Sequence, residues 1–194
     1  MLNINEPVKK SFSGKGVFPY QYAFTLLLPI RNIFLSPKKL IERLHLTDNN
    51  FVLEVGSGPG YFSTKIAEEI PYGKLVLADI QTEMLDIAKK RLHKRNISNA
   101  EYYLCGGHAI DLQSNYFDRI FLISVLGEVT NKDIYLSEFY RMLKQNGILS
   151  ISELAGDPDK MSINEIKILA EKYNFNFSEL FGTERNYTIN FKKD

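Results

Sequence analysis

The sequence predicts an α/β fold: a doubly wound, mostly parallel sheet with helices on both faces and an antiparallel last strand. Three observations predict it. Short apolar runs rich in β-formers alternate with helical periodicity from residue 51 to 153, an order that implies a parallel sheet covered by helices. Three glycines crowd the turn after the first run, in LEVGSGPG over residues 53–60. Further on, two strand-like runs are separated by only a short connection, so they pair as a hairpin.

The elements follow in order. Ser36 is placed to cap a helix with Pro37 at its first position, and Leu40, Ile41 and Leu44 share one face. FVLEV, 51–55, reads as a buried parallel strand. Phe62, Ile66, Ala67 and Ile70 then lie on one helical face. KLVLADI is the second strand. Thr82 is a candidate cap for a helix through about residue 95, with Leu85, Ala88 and Leu92 inward. AEYYLCG and FDRIFLISV, 117–125, are the third and fourth strands. NKDIYLSEFYRML is a helix, and the turn KQNG leads into a fifth strand, ILSISE. Ser162 and Glu165 form a capping box for a helix through Tyr173. NFSELFG and NYTINFKK close the pattern. In the second, Tyr187, Ile189 and Phe191 alternate with polar residues, as in an antiparallel strand.

The chain of 194 residues fits one compact domain, divided as an N-terminal helical cap segment over 1–45 and a ligand-binding domain over 46–194. Lys plus Arg number 24 against 23 Asp plus Glu. That balance gives no electrostatic case for an obligate nucleic-acid or membrane partner. Cys105 is the only cysteine. It excludes a disulfide framework or a cysteine-based metal cluster and suits a reducing cytoplasm. The apolar stretch 23–35 is too short for a transmembrane segment and contains Pro29 and Arg31. Oligomeric state is not legible.

Glycine is the default where backbone turns sharply or meets a ligand closely. The first strand-to-helix turn of a doubly wound sheet is where such folds bind nucleotide-like ligands. No Lys-Ser or Lys-Thr follows the turn, which excludes a phosphate-cradling P-loop. Gly56, Gly58 and Gly60 read G-x-G-x-G, with Tyr61 where the dinucleotide fingerprint has its third glycine. Asp79 ends the second strand, where a carboxylate accepts the hydroxyls of an adenosine ribose. On these residues alone an NAD-dependent oxidoreductase and an adenosine-cofactor-binding regulator without catalysis stay open.

LEVGSGPGYF, ADIQTEMLDIAKKRL, YFDRIFLISVLGEV and LSEFYRMLKQNGILSISE resemble successive motifs of the class I S-adenosylmethionine-dependent methyltransferases. The similarity is greatest to the ubiquinone/menaquinone-biosynthesis-like group and covers residues 45–194. The resemblance implies a Rossmann-like, seven-stranded sheet and S-adenosylmethionine as methyl donor, leaving S-adenosylhomocysteine. It also implies roles at the cofactor. Gly56, Ser57, Gly58 and Gly60 lie against the methionine part, and Glu54 is tied to the methionine end. Asp79 holds the ribose, and Ile80 and Met84 pack near the adenine. Gly107, His108, Ala109 and Ser124 complete the implied set.

The chain departs from the family at two places. Gly107-His108-Ala109 stands where the family often has Gly-Asp-Ala, so His108 either reads the adenine amine or only lines the pocket. Gly127-Glu128 stands where quinone-group members often carry a histidine. The lone Cys105 also argues against arsenite methyltransferases of this type.

Methyl transfer from a sulfonium needs chiefly an in-line nucleophile and exclusion of water, so no catalytic residue or metal is assigned. The expected partner is a small-molecule or lipid-like acceptor. Phe18, Tyr20, Tyr22 and Phe24 are candidates for an apolar substrate wall, with packing on the core the favoured reading. Glu128 and the loop over 154–161 are further candidates for the pocket wall.

Overall fold

The computed structural model describes residues 18–106 and 110–194. Two 3-10 segments, Tyr20–Leu27 and Pro29–Ile33, precede helix α1, Pro37–Leu44. Ser36 Oγ accepts the Lys39 N–H at 3.3 Å and Pro37 opens the helix, the arrangement its sequence dictates. Then come β1 (Phe51–Val55), α2 (Ser63–Glu69), β2 (Lys74–Asp79), α3 (Thr82–His93), β3 (Ala100–Leu104) and β4 (Phe117–Ile123). A 3-10 turn over Leu126–Glu128 leads to α4 (Lys132–Met142), β5 (Leu143–Glu153), α5 (Ile163–Lys172), β6 (Phe175–Thr183) and β7 (Asn186–Lys193).

The seven strands form one sheet in the order β3-β2-β1-β4-β5-β7-β6. β1 pairs in parallel with β2 on one side and β4 on the other, so the winding reverses at β1 and opens a crevice at the carboxyl ends of the strands. β7 runs antiparallel to both β5 and β6. The expected hairpin is present, but it is the second strand of the pair, β7, that joins the parallel sheet.

Successive side chains on each strand feed opposite faces. Leu53, Val55, Ile120, Leu122, Leu149 and Ile151 share a core with Leu136 and Phe139 of α4 and Ile166 and Ala170 of α5. Val52, Leu75, Leu77 and Phe121 pack with Leu40 and Leu44 of α1, Ile66 and Ala67 of α2, and Leu85, Ala88 and Leu92 of α3. Both faces are covered, so even the polar alternates of β7, Thr188 and Asn190, are wholly buried. α1 supplies partners to both: Arg43 donates to Thr188 Oγ1 at 2.7 Å, and Asn190 Nδ2 donates to the Arg43 carbonyl at 2.7 Å, while Asn190 Oδ1 finds no partner among the described residues.

Three local expectations are corrected. Thr82 does not cap α3. It is the first helical residue, after an extended Gln81 that makes no side-chain cap bond; Asp79 Oδ1 instead accepts the Gln81 N–H at 2.9 Å and sets the turn. The fourth strand stops at Ile123 because Ser124 has φ +54, outside the extended region. KQNG is not a turn before β5 but a bulge inside it. The register jumps from Phe117↔Leu143 to Arg119↔Ile148, with Asn146 at φ +61. Among the described residues no helix is long and apolar enough to cross a membrane. Cys105 is a buried free thiol.

Candidate functional site

A cavity of about 680 Å³ opens at the carboxyl ends of the strands, within the range of small-molecule sites. The glycine turn after β1 forms one side of it. Gly56 N–H and Ser57 N–H both donate to Ala78 O on β2, at 2.8 and 3.1 Å. Gly56 and Gly58 have φ +70 and +53, values that L side chains resist. A Cβ on Gly56 would lie 2.4 Å from Val125 Cγ2, whereas one on Gly58 would meet nothing among the described residues nearer than Leu26 Cδ1 at 3.7 Å. Gly58 therefore borders open space, and Gly56 is locked against the turn after β4.

Asp79 ends β2 at the cavity, only 6% exposed. Its Oδ2 accepts Gly58 N–H at 2.8 Å and its Oδ1 accepts Gln81 N–H at 2.9 Å. These bonds pin the glycine turn to the end of β2. Each carboxylate oxygen has a second acceptor position, so ligand hydroxyls can still be received. Burial raises the Asp79 pKa from its ordinary value, against the lowering effect of the Gln81, Gly58 and Ile80 amides.

Glu54 on β1 is 3% exposed and accepts Ser63 Oγ at 2.5 Å. Burial pushes it up to about 8; the Ser63 bond and Arg31 oppose the rise, and Asp79 adds to it. Arg31 is held in place by Leu26 O at 3.1 Å and lies over the Tyr61 and Phe62 rings at 5.4 and 5.7 Å. The two 3-10 segments and their flanks thus reach the cavity with Phe18, Leu26, Arg31 and Phe34. Gln81 Nε2 donates to Phe18 O at 2.8 Å and ties this segment to the end of β2.

Of the residues expected at the site, Glu54, Gly56, Ser57, Gly58, Asp79, Ile80, Met84 and Ser124 all line the cavity. Gly60 does not; a Cβ there would lie 3.1 Å from Ala88 Cβ, so it serves close packing against α3. Gly107, His108 and Ala109 lie outside the described residues. Ser57 Oγ and Ser124 Oγ are buried without a hydrogen-bond partner among the described residues, two polar atoms positioned for a polar ligand. Of the candidate aromatic wall, only Phe18 lines the cavity, while Tyr22 and Phe24 are 43% and 62% exposed. Those two neither pack in the core, as favoured, nor line the pocket. Glu128 and residues 154–159 do line it.

Sequence reasoning missed Arg31, Leu26, Phe34 and Ser63. Arg31 carried a signal, as a lone charge inside an apolar run. Ser63 carried none, since its role rests on the rotation of α2 toward β1.

A glycine turn after β1, a buried carboxylate ending β2 and an antiparallel strand between β5 and β6 define the class I S-adenosylmethionine-dependent methyltransferase fold. A crystal structure of a SAM-dependent methyltransferase from Aquifex aeolicus matches with a TM-score of 0.85 at 21% identity, covering 92% of this chain and 100% of that one. A methyltransferase domain family model matches residues 46–187. The chain is 33% identical over 117 residues to the ubiquinone/menaquinone biosynthesis C-methyltransferase UbiE of Hydrogenovibrio crunogenus, covering 59% of this chain and 46% of that protein. The UbiE of Pseudomonas putida is 30% identical over 144 residues, 73% of this chain and 55% of that protein. The chain spans about half the length of these curated relatives. It belongs to the methyltransferase domain family, as its motifs imply.

Proposed function

We propose that the protein transfers a methyl group from S-adenosylmethionine to a small or lipid-like acceptor within this cavity, in the cytoplasm. The observation that carries the reading is the buried Asp79 carboxylate fixed against Gly58, at the reversal of strand order. The cavity fits the cofactor on the chain's own groups: Asp79 retains acceptor positions for two ribose hydroxyls, Ile80 offers an apolar surface for a flat ring, and the unpartnered Ser57 and Ser124 hydroxyls face polar groups.

When bound, S-adenosylmethionine supplies an electrophilic methyl on a sulfonium. The chain's contribution is to bind, orient and exclude water. Asp79 holds the nucleoside end, the glycine turn lies against the methionine part, and Glu54, fixed by Ser63, receives donors at the methionine end. The segment from Phe18 to Phe34, part of a cap over 1–45, closes the mouth with Leu26 and Phe34. The relatives are named for ubiquinone and menaquinone biosynthesis, and the apolar lining supports an acceptor with an apolar body.

Calorimetry with S-adenosylmethionine, S-adenosylhomocysteine and NAD tests the reading. Both adenosyl ligands are expected to bind and NAD not to bind. Binding of NAD alone would favour an oxidoreductase and overturn the proposal. Cofactor binding with no transfer to any acceptor across a broad screen would favour the regulator.

A further inference from the structure

The part of the cavity beyond β4 is acidic. Glu128 follows β4, and Asp157 and Asp159 follow β5, on the other side of β1 from Asp79. The two segments touch: a Cβ on Gly127 would sit 1.8 Å from Asp159 O, so only glycine permits the approach. That contact holds Glu128 beside the aspartates, and Asp157 Oδ1 accepts Asp159 N–H at 2.9 Å. Among the described residues none of these three carboxylates is in an ion pair.

A further carboxyl backs this wall. Glu153, at the end of β5, is wholly buried, and neither of its carboxyl oxygens has a hydrogen-bond partner among the described residues. Its charged neighbours are Asp157, Lys160, Glu128 and Lys132, so it stands behind the cluster, one layer back from the residues that line the cavity. The two lysines are turned to backbone. Lys132 donates to Gly127 O and Val129 O, and Lys160 to Glu184 O and Arg185 O. Burial first, and then the neighbouring acids, push Glu128 up to about 7. Burial and Asp157 push Glu153 up to about 8.

Five of the described residues lining the cavity are acidic (Glu54, Asp79, Glu128, Asp157, Asp159) and one, Arg31, is basic, in a chain of net charge +1. A metal does not account for this, because no three His, Cys, Asp or Glu side chains among the described residues are placed to hold one. An organic cation does. It lowers the mutual repulsion of the carboxylates and needs no fixed coordination geometry. Leu26, Phe34, Val129 and Pro158 line the same cavity and suit an apolar body.

We propose that this wall is the acceptor subsite and that the acceptor carries a cationic amine on an apolar body. The inference rests on reading the cavity as a methyltransferase site. Its test uses three probes of matched shape, phenethylamine, 2-phenylethanol and phenylacetate, with hydroquinone as a fourth. Binding is measured by calorimetry at pH 7.5, with and without saturating S-adenosylhomocysteine. Phenethylamine is expected to bind at least about tenfold more tightly than the alcohol, the gain of one charge-assisted hydrogen bond, and the anion least. Glu128→Gln and Asp157→Asn, each checked by thermal melting, should each erase most of that preference and leave S-adenosylhomocysteine affinity within about twofold. Equal binding of amine and alcohol, or preference for hydroquinone, overturns the inference while leaving the methyltransferase reading intact. So does loss of S-adenosylhomocysteine affinity in the two variants, which would assign the wall to the cofactor. Amine preference without S-adenosylhomocysteine binding would uphold the cation site and instead sink the methyltransferase reading.

Discussion

Gly58→Ala separates ligand contact from backbone strain. At φ +53 an alanine costs about 1–2 kcal/mol, because its Cβ crowds the backbone in the left-handed region. Among the described residues the new methyl would meet only Leu26 Cδ1, at an ordinary 3.7 Å, and the N–H bond to Asp79 Oδ2 survives. For a chain of this size that strain lowers the apo melting temperature by roughly 2–8 °C. S-adenosylmethionine at a hundred times its Kd stabilises the wild type by about 2.7 kcal/mol, which raises its melting temperature by about 5–10 °C. If Gly58 borders the cofactor, the methyl fills cofactor space and the variant loses that increment. Scanning fluorimetry of both proteins, with and without the cofactor, measures the two effects independently. A variant that melts a few degrees low yet keeps the full cofactor shift would show that Gly58 does not touch the ligand. Gly56→Ala cannot make this distinction, because its Cβ would lie 2.4 Å from Val125 and harm the apo fold by itself.

Asp79→Asn keeps one acceptor oxygen but loses the charge, so S-adenosylmethionine affinity should fall about ten- to a hundredfold. Unchanged affinity in a calorimetric titration of the folded variant would remove Asp79 from the site. Glu153 makes stability depend on pH. Its folded carboxyl holds the proton up to about 8, whereas the unfolded chain releases it near the ordinary value of 4.5. The folded state therefore binds more protons between those values, and stability is full below about 4.5 and is lost as pH rises through 8. Glu54 acts in the same direction, so Glu153→Gln should flatten the slope without abolishing it. Urea midpoints that decline from pH 5 to 9 as steeply in the variant as in the wild type would show that Glu153 does not hold its proton in the folded state.

Features set by neighbours in sequence were legible. Ser36 and Ser162 cap their helices as read, because capping needs only residues within one turn. β7 spans the run marked by its alternation. The glycine turn was legible because strand, glycines and helix adjoin in the chain. What could not be read depends on distant partners. Asp79 acts on Gly58 as well as facing the cavity, a coupling fixed by strand pairing. KQNG has turn composition, yet the pairing of Leu143 with Phe117 draws it into β5. Tyr22 and Phe24 are aromatic, but short 3-10 segments turn them outward. Glu153 ends β5, and its burial follows from β7 lying alongside, a partner more than thirty residues on.

The place of β7 constrains the order of assembly. β6 touches the sheet only through β7, so during synthesis β6 emerges before the strand it must pair with. Until residues 186–193 follow, the growing chain presents the bare edge of β5, with Leu149 and Ile151 along it, to any other extended segment nearby. The hairpin then docks as a unit and seals that edge. The β6–β7 contacts are local in sequence and close fast, while the β5–β7 contacts span some 40 residues and close later. Crowded, half-made chains are thus most exposed to mispairing in the interval before β7 arrives.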